Sequence, residues 1–153
     1  MISKIASTTT AIILCSLSSS AIGAPVCTPL QVVGGGGTTV SKKISPPGAP
    51  LPYGQKLRNN WNTDFVVASP ATSFVANIVA KNLGKYKIVM YLKYADNTAD
   101  KVFEQEISLQ DNQAYTVQGR PRRANLAPYQ VNLFIGGIPV VGNSYTATVS
   151  GCR

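Results

Sequence analysis

One stretch of alternating residues constrains the fold of this chain more than any other feature. In residues 86–94, the side chains at even positions are all apolar or aromatic, while lysine recurs among the odd ones. The even set is Tyr86, Ile88, Met90, Leu92 and Tyr94. A period of two places alternate side chains on opposite faces of a β-strand, and predicts one long strand with a buried side and a wetter side.

Further short stretches of the same kind follow and precede this strand. We predict strands within residues 38–44, 64–68, 73–80, 102–109, 114–117, 129–135 and 145–149, separated by turn-forming Gly, Pro, Asn and Asp. No segment after residue 23 has helical periodicity. Seven or eight short strands with a turn every 8–12 residues predict an all-β fold, an antiparallel immunoglobulin-like β-sandwich.

Residues 74–149 resemble an immunoglobulin or fibronectin type III-like domain of a bacterial secreted protein. The resemblance rests on the long strand around Met90, the turn at Asp96 and Asn97, and Ala127-Pro128-Tyr129-Gln130-Val131, which stands where such folds place a corner tyrosine. It implies a two-sheet sandwich. It implies no particular activity, because this fold carries many functions.

The N-terminus has the pattern of a secretory signal peptide. Lys4 precedes an apolar run at 11–17, and small residues follow up to Ala24. We expect cleavage between Gly23 and Ala24, and the apolar run is too short to span a bilayer. The predicted organisation is a signal peptide at 1–23, an N-terminal arm with Gly-rich and Pro-rich linkers at 24–62, and the sandwich at 63–153. A secreted, periplasmic or cell-surface protein is expected.

Two cysteines, Cys27 and Cys152, remain after cleavage, one near each end of the chain. In an exported protein such a pair is expected to form a disulfide, and free or intermolecular thiols are the alternative. Two cysteines without any histidine do not supply the usual ligands of a zinc site. We expect no metal and no cofactor.

The chain is basic, with 14 Lys and Arg against 6 Asp and Glu. Loss of Lys4 leaves 13 cations and 6 anions, a net charge of +7, which favours polyanionic partners. Export makes an anionic polysaccharide or an envelope protein a better candidate than nucleic acid. The densest charge is Arg120-Pro121-Arg122-Arg123, and its three arginines are the predicted polyanion site, with a solvated loop as the plain alternative.

The absence of histidine excludes catalysis by histidine in a triad, dyad or proton shuttle. Glu104 and Glu106 lie two residues apart on one strand face, at a spacing of roughly 6–7 Å that glycosidases also use. The alternative is that both pair with Lys87 or Lys93 on the neighbouring strand. We therefore predict no catalytic residues, and keep a polysaccharide-acting enzyme as an alternative.

The favoured hypothesis is an exported, non-enzymatic β-sandwich that serves as a binding or structural module of the envelope or extracellular matrix. A third hypothesis is a pilus-like assembly subunit that donates residues 24–44 as a strand to a neighbour. The prolines at 46–52 predict a polyproline-like or loop segment, and Trp61 is expected to cap the core.

Overall fold

The computed structural model describes residues 23–153, so the predicted signal peptide, apart from Gly23, lies outside the described residues. The long strand expected from the alternating stretch is present as β8, and its five even-numbered side chains are buried. They form one wall of the core. Within the described residues, no helix has the length and apolar character needed to cross a membrane.

Twelve strands occur in the described residues. They are β1 (Cys27–Pro29), β2 (Gln31–Val32), β3 (Thr39–Lys43), β4 (Ala49–Pro50), β5 (Lys56–Leu57), β6 (Asn62–Val66), β7 (Ser73–Ala80), β8 (Gly84–Lys93), β9 (Ala99–Leu109), β10 (Ala114–Gly119), β11 (Gln130–Gly136) and β12 (Ser144–Cys152). Two short 3₁₀ turns, Pro52–Gly54 and Ile138–Val140, complete the regular structure there.

The strands form two antiparallel sheets that enclose one core. The first sheet has the order β3-β12-β7-β10, with β1 also paired to β12, and the second has the order β2-β6-β11-β8-β9. The antiparallel sandwich is confirmed. Eight longer strands, β3 and β6 to β12, carry it, as many as the alternating stretches predict.

The strand order is that of a jelly roll, in which β3-β12-β7-β10 faces β6-β11-β8-β9. In immunoglobulin sheets the last two strands are neighbours. Here the last strand, β12, pairs with β1, β3 and β7, whereas β11 pairs with β6 and β8. The immunoglobulin resemblance therefore holds for the two-sheet architecture and not for the order of the strands. Tyr129, expected at the corner, is 48% exposed.

The segment 24–62 contributes to both sheets. Strands β1 and β3 pair with β12, and β2 pairs with β6, so no detached arm is present between residues 27 and 43. The prolines do not prevent pairing further on, because β4 and β5 form a short two-stranded ribbon. Residues 46–48 have no regular structure, as predicted, and only Ala49–Pro50 of the predicted polyproline-like or loop segment form one side of a hairpin.

A disulfide between Cys27 and Cys152 joins the outer strand β1 to β12, as predicted. It closes a loop over a sequence separation of 125 residues. Such a bridge removes much of the conformational freedom of the unfolded chain, because it ties together two distant points.

Candidate functional site

The predicted polyanion loop is held against the hairpin between β8 and β9 by its middle arginine. The guanidinium carbon of Arg122 lies 4.1 Å from the centre of the Tyr94 ring, and its Nε is 3.1 Å from Asp100 Oδ2. Its Nη2 also contacts Thr98, and its backbone N–H donates to the Tyr94 hydroxyl at 3.3 Å. Arg122 is therefore a structural side chain whose charge is largely balanced by its neighbours.

The other two arginines of the loop are different. Arg120 and Arg123 are exposed, and neither forms an ion pair with any residue in 23–153. By fixing the centre of the loop, Arg122 presents the two flanking cations at one end of the second sheet. The three arginines expected to act together are thus divided into one anchor and two free charges.

The predicted carboxylate pair lies on the outside of β9 and is bound to lysines. Glu104 contacts Lys101 and lies 2.9 Å from the Lys87 ammonium, and Glu106 lies 2.7 Å from Lys85. The hydrogen bond from Lys101, followed by that from Lys87, lowers the pKa of Glu104 to about 2. The Lys85 hydrogen bond likewise lowers the pKa of Glu106. A general acid needs a raised pKa, so this geometry argues against the glycosidase alternative.

On the same outer side of the second sheet, where Glu104 stands opposite Val89 and Glu106 opposite Lys87, the neighbouring strands combine aromatic rings with hydrogen-bonding groups. In β8 and β11 the residues that alternate with the core side chains point away from the core. We call the part of this outer side that lies on β6, β11 and β8, together with Trp61, the aromatic face. It consists of Trp61, Asp64, Val89, Tyr91, Lys93, Gln130, Asn132 and Phe134.

The aromatic part of this face is built around Phe134. The Trp61 ring meets it edge to face, with 5.6 Å between the ring centroids and an interplanar angle of 88°. A glycine makes this position possible, because a Cβ at Gly136 would lie 2.6 Å from the indole. The indole N–H of Trp61 donates to the Ser45 carbonyl at 2.8 Å. Val89, opposite Phe134 on β8, is covered and only 3% exposed.

The polar part lies in the adjoining rows and spans three strands. Asp64 Oδ1 accepts hydrogen bonds from the Lys93 ammonium at 2.7 Å and from the Asn132 amide at 2.9 Å. Both donors use Oδ1, so Oδ2 has no hydrogen-bond partner among residues 23–153. Tyr91 stands opposite Asn132 and is half-buried. The face thus offers aromatic surface beside a carboxylate, the Gln130 amide and an ammonium group, while the Asn132 amide is only 6% exposed and holds the carboxylate in place.

The aromatic face could not be found from the sequence with the signals available. Trp61 lies 73 positions before Phe134, and Asp64 lies 68 positions before Asn132. Only the strand order brings them together. The expected core cap is partly correct, since Trp61 packs against the core cluster as well as against Phe134.

Metal coordination has no support in the described part of the chain, where no cluster of three or more His, Cys, Asp and Glu side chains is placed to hold an ion. The turn after β8 uses its acidic side chain locally, because the hydroxyl and N–H of Thr98 donate to Asp96 Oδ1. The Thr98 hydroxyl is the main cause of the lowered pKa of Asp96.

Comparison with known proteins yields similarity at the level of shape only. No protein-family model matches the chain, and no curated protein matches it. Solved structures of family 29 carbohydrate-binding modules are similar, among them a mutant of CBM29-2 with 9% identity and a TM-score of 0.45, covering 84% of this chain and 92% of that one. Another, described as a carbohydrate-binding module of family 29, has 9% identity and a TM-score of 0.45, covering 85% of this chain and 90% of that one. These values lie below the level from which a shared function follows.

Proposed function

We propose that this chain is an exported, non-catalytic binding module that holds a polysaccharide on its aromatic face. The observation that carries the proposal is the meeting of Trp61, Phe134 and Tyr91 with the Asp64–Asn132–Lys93 network on one uncovered sheet surface. Sugar rings have an apolar C–H face and a rim of hydroxyls. Aromatic side chains suit the first, and fixed carboxylate and amide groups suit the second.

The dimensions of the face agree with a chain-like ligand. Outward-facing residues on one strand repeat at roughly 6–7 Å, and neighbouring strands lie about 5 Å apart. From Asn62 to the end of the strand at Val66 and across the three strands β6, β11 and β8, the diagonal is on the order of 16 Å. That length accommodates several consecutive sugar units.

We propose further that Arg120 and Arg123 contact anionic groups of the same polysaccharide. They lie in the loop that Arg122 fixes to the β8–β9 hairpin, at the end of the sheet that bears Lys93 and Gln130. Because Arg presents paired planar donors, both side chains suit carboxylate or sulfate groups. The disulfide and the expected signal peptide agree with action outside the cytoplasm.

Retention on immobilised polysaccharide, with variants that separate stacking from charge, tests the proposal. We expect Tyr91→Ala to weaken binding about fivefold, because one stacked ring contributes on the order of 1 kcal/mol. Tyr129→Ala is the matched control, since alternation points that side chain to the other side from Gln130. Equal retention of both variants would refute the aromatic face as the binding site.

The charge contribution is tested separately with the double variant Arg120→Ala/Arg123→Ala. We expect earlier elution in salt from heparin and from polygalacturonate, since two free cations are removed. Lys81→Ala/Arg153→Ala removes the same charge from elsewhere on the surface. If both double variants elute together, net charge and not the loop determines retention.

The assembly-subunit hypothesis has less support. A donated strand needs a free arm, whereas β1, β2 and β3 are paired within their own sandwich and β1 is tied by the disulfide. The long edge strand β9 also resists addition of another strand. It has an extra residue, Val102, where the register shifts beside Met90 and Tyr91, and it bears Lys101 and Glu104 near that bulge.

A further inference from the structure

The ribbon formed by β4 and β5 carries a concentration of positive charge that the aromatic face does not use. Between residues 24 and 63 the chain has four cations, Lys42, Lys43, Lys56 and Arg58, and no Asp or Glu. On the second sheet, by contrast, Lys85, Lys87 and Lys93 are each paired with an acid. The surplus positive charge of the molecule therefore lies largely outside that sheet.

Lys42 has a structural use. Its ammonium donates to the carbonyls of Asn60 and Asn62 at 2.9 and 2.7 Å, and to the Thr63 hydroxyl at 2.7 Å. These bonds satisfy carbonyls near the start of β6, where β2 no longer pairs with it. Burial lowers the pKa of Lys42. With its donors occupied, Lys42 is not the group that would meet a ligand.

Lys56 and Arg58, unlike Lys42, are free to contact a ligand. Both are exposed, and neither forms an ion pair among residues 23–153. They are two positions apart, Lys56 in β5 and Arg58 just after it. Together they line a groove of about 540 Å³ between the ribbon and the edge of the second sheet. Its other lining residues include Pro50, Asn59 and Asn62.

The groove is held in shape by the backbone around it. Leu51 N–H donates to the Gln55 carbonyl at 2.9 Å, and Asn60 is bonded to Ser45 and to the Lys43 carbonyl. Gly48 lies so close to β5 that a Cβ would be 2.5 Å from the Leu57 carbonyl oxygen. Pro50 and Pro52 restrict the ribbon further. A site shaped before binding loses less entropy when a ligand arrives.

Asn62 connects this groove to the aromatic face. It lines the groove, and in β6 it stands opposite Phe134, in the row next to Trp61. A chain that lies on Phe134 would therefore continue past Asn62 towards Lys56 and Arg58. The guanidinium of Arg58 suits the paired oxygens of a carboxylate or a sulfate.

We propose that this ribbon groove is an anion subsite, in which Lys56 and Arg58 bind carboxylate or sulfate groups of an acidic polysaccharide whose neighbouring sugars lie on the aromatic face. The inference rests on the proposed function and specifies its ligand class. Two sets of free cations, at the ribbon and at Arg120 and Arg123, then flank the aromatic surface. The ligand is expected to carry repeated negative charges.

Calorimetric titration with three hexasaccharides tests the subsite: cellohexaose, which is neutral, oligogalacturonate, which carries carboxylates, and a heparin fragment, which carries sulfates. We expect Lys56→Ala/Arg58→Ala to weaken binding of the acidic ligand about tenfold, the loss typical of hydrogen bonds to charged groups, and to leave cellohexaose unaffected. The acidic hexasaccharide whose affinity falls in the variant identifies the anionic group, carboxylate or sulfate. The indole N–H signal of Trp61 in an NMR spectrum verifies that the ribbon base is intact in the variant.

The matched control is Lys81→Ala/Arg153→Ala, and Lys56→Arg/Arg58→Lys is expected to keep most of the affinity. Equal losses in the control, or equal wild-type affinity for acidic and neutral hexasaccharides, would overturn the subsite. So would binding of double-stranded DNA or anionic vesicles, dependent on Lys56 and Arg58, without any binding of oligosaccharide. If Tyr91→Ala changes nothing while the ribbon variant loses the acidic ligand, the subsite stands and the proposed aromatic face fails.

Discussion

The outer faces of the two sheets are built on the same alternation of residues and carry opposite chemistry. On the first sheet the outward positions of β3, β12, β7 and β10 are mostly hydroxyl and amide residues: Thr39, Ser41, Ser144, Thr146, Thr148, Ser150, Asn77, Thr116 and Gln118. We call this surface the hydroxyl face. It lacks ion pairs among the described residues, and its short side chains bond to near neighbours, as Thr116 does to Asn77 at 2.9 Å.

The aromatic face, by contrast, consists of long side chains that lie over one another. Phe134 covers Val89, Trp61 covers Gly136, and Lys93 reaches Asp64 across β11. In a sheet with one face buried, the core constrains the inward residues tightly and the outward residues loosely, so the outward residues can form a binding site. Only one of these two surfaces has both stacking groups and fixed hydrogen-bonding groups.

The largest expected effect is a loss of stability when the disulfide at the edge of the first sheet, away from the aromatic face, is removed. Cys27→Ala/Cys152→Ala removes the bridge at the edge of the first sheet. We expect unfolding to become easier by about 4–5 kcal/mol, since the closed loop is long. Urea denaturation measures this change. A loss below about 1 kcal/mol would mean that strand pairing of β1 alone holds the edge.

A smaller effect is expected from crowding the aromatic face while leaving its polar groups in place. In Gly136→Ala the new methyl group would meet the indole of Trp61 at 2.6 Å, so the ring must move away from Phe134. We expect a loss of about 1–3 kcal/mol in stability, together with weaker polysaccharide binding.

Gly36→Ala is the matched control for that variant, because nothing lies within 4 Å of the added carbon. Denaturation and binding measured on both proteins separate a local clash from a general effect of glycine replacement. Unchanged binding by Gly136→Ala, with the indole displaced, would mean that Trp61 does not form part of the ligand surface.

The smallest expected effect is a loss of thermal stability at low pH. It should arise on the outer side of the second sheet only. The pKa of Glu104 is lowered from 4.5 to about 2 by Lys101 and Lys87, and the hydroxyl face has no carboxylate at its outward positions. A depressed folded-state pKa contributes stability above pH 4.5 that is lost as the pH falls towards 2. Thermal melts at pH 7 and pH 3 should therefore differ less in Glu104→Gln than in wild type, whereas Thr148→Ala should keep the wild-type difference. Identical differences in all three proteins would show that this pair has no effect on stability.

Much of the fold follows from local patterns, and most of the site does not. The period of two located β7 and β8 almost to the residue, because burial on one side imposes it. No local sequence pattern of this kind indicates which strands pair with one another. The joining of β11 to β6, which places Asn132 beside Asp64, depends on long-range topology. The division of Arg120, Arg122 and Arg123 into free and anchored side chains likewise depends on Tyr94 and Asp100, some 20 or more positions away.

Mapping the ligand onto the two faces by NMR shows directly which face binds the polysaccharide. The ¹⁵N-labelled protein, without residues 1–23, is titrated with oligogalacturonate and heparin hexasaccharides while backbone amide and indole signals are followed. We expect the shifts to concentrate at Trp61, Asp64, Tyr91, Asn132 and Phe134, with further shifts at Lys56 and Arg58. Shifts concentrated at Thr146 and Thr148 on the hydroxyl face, or none at millimolar ligand, would contradict it.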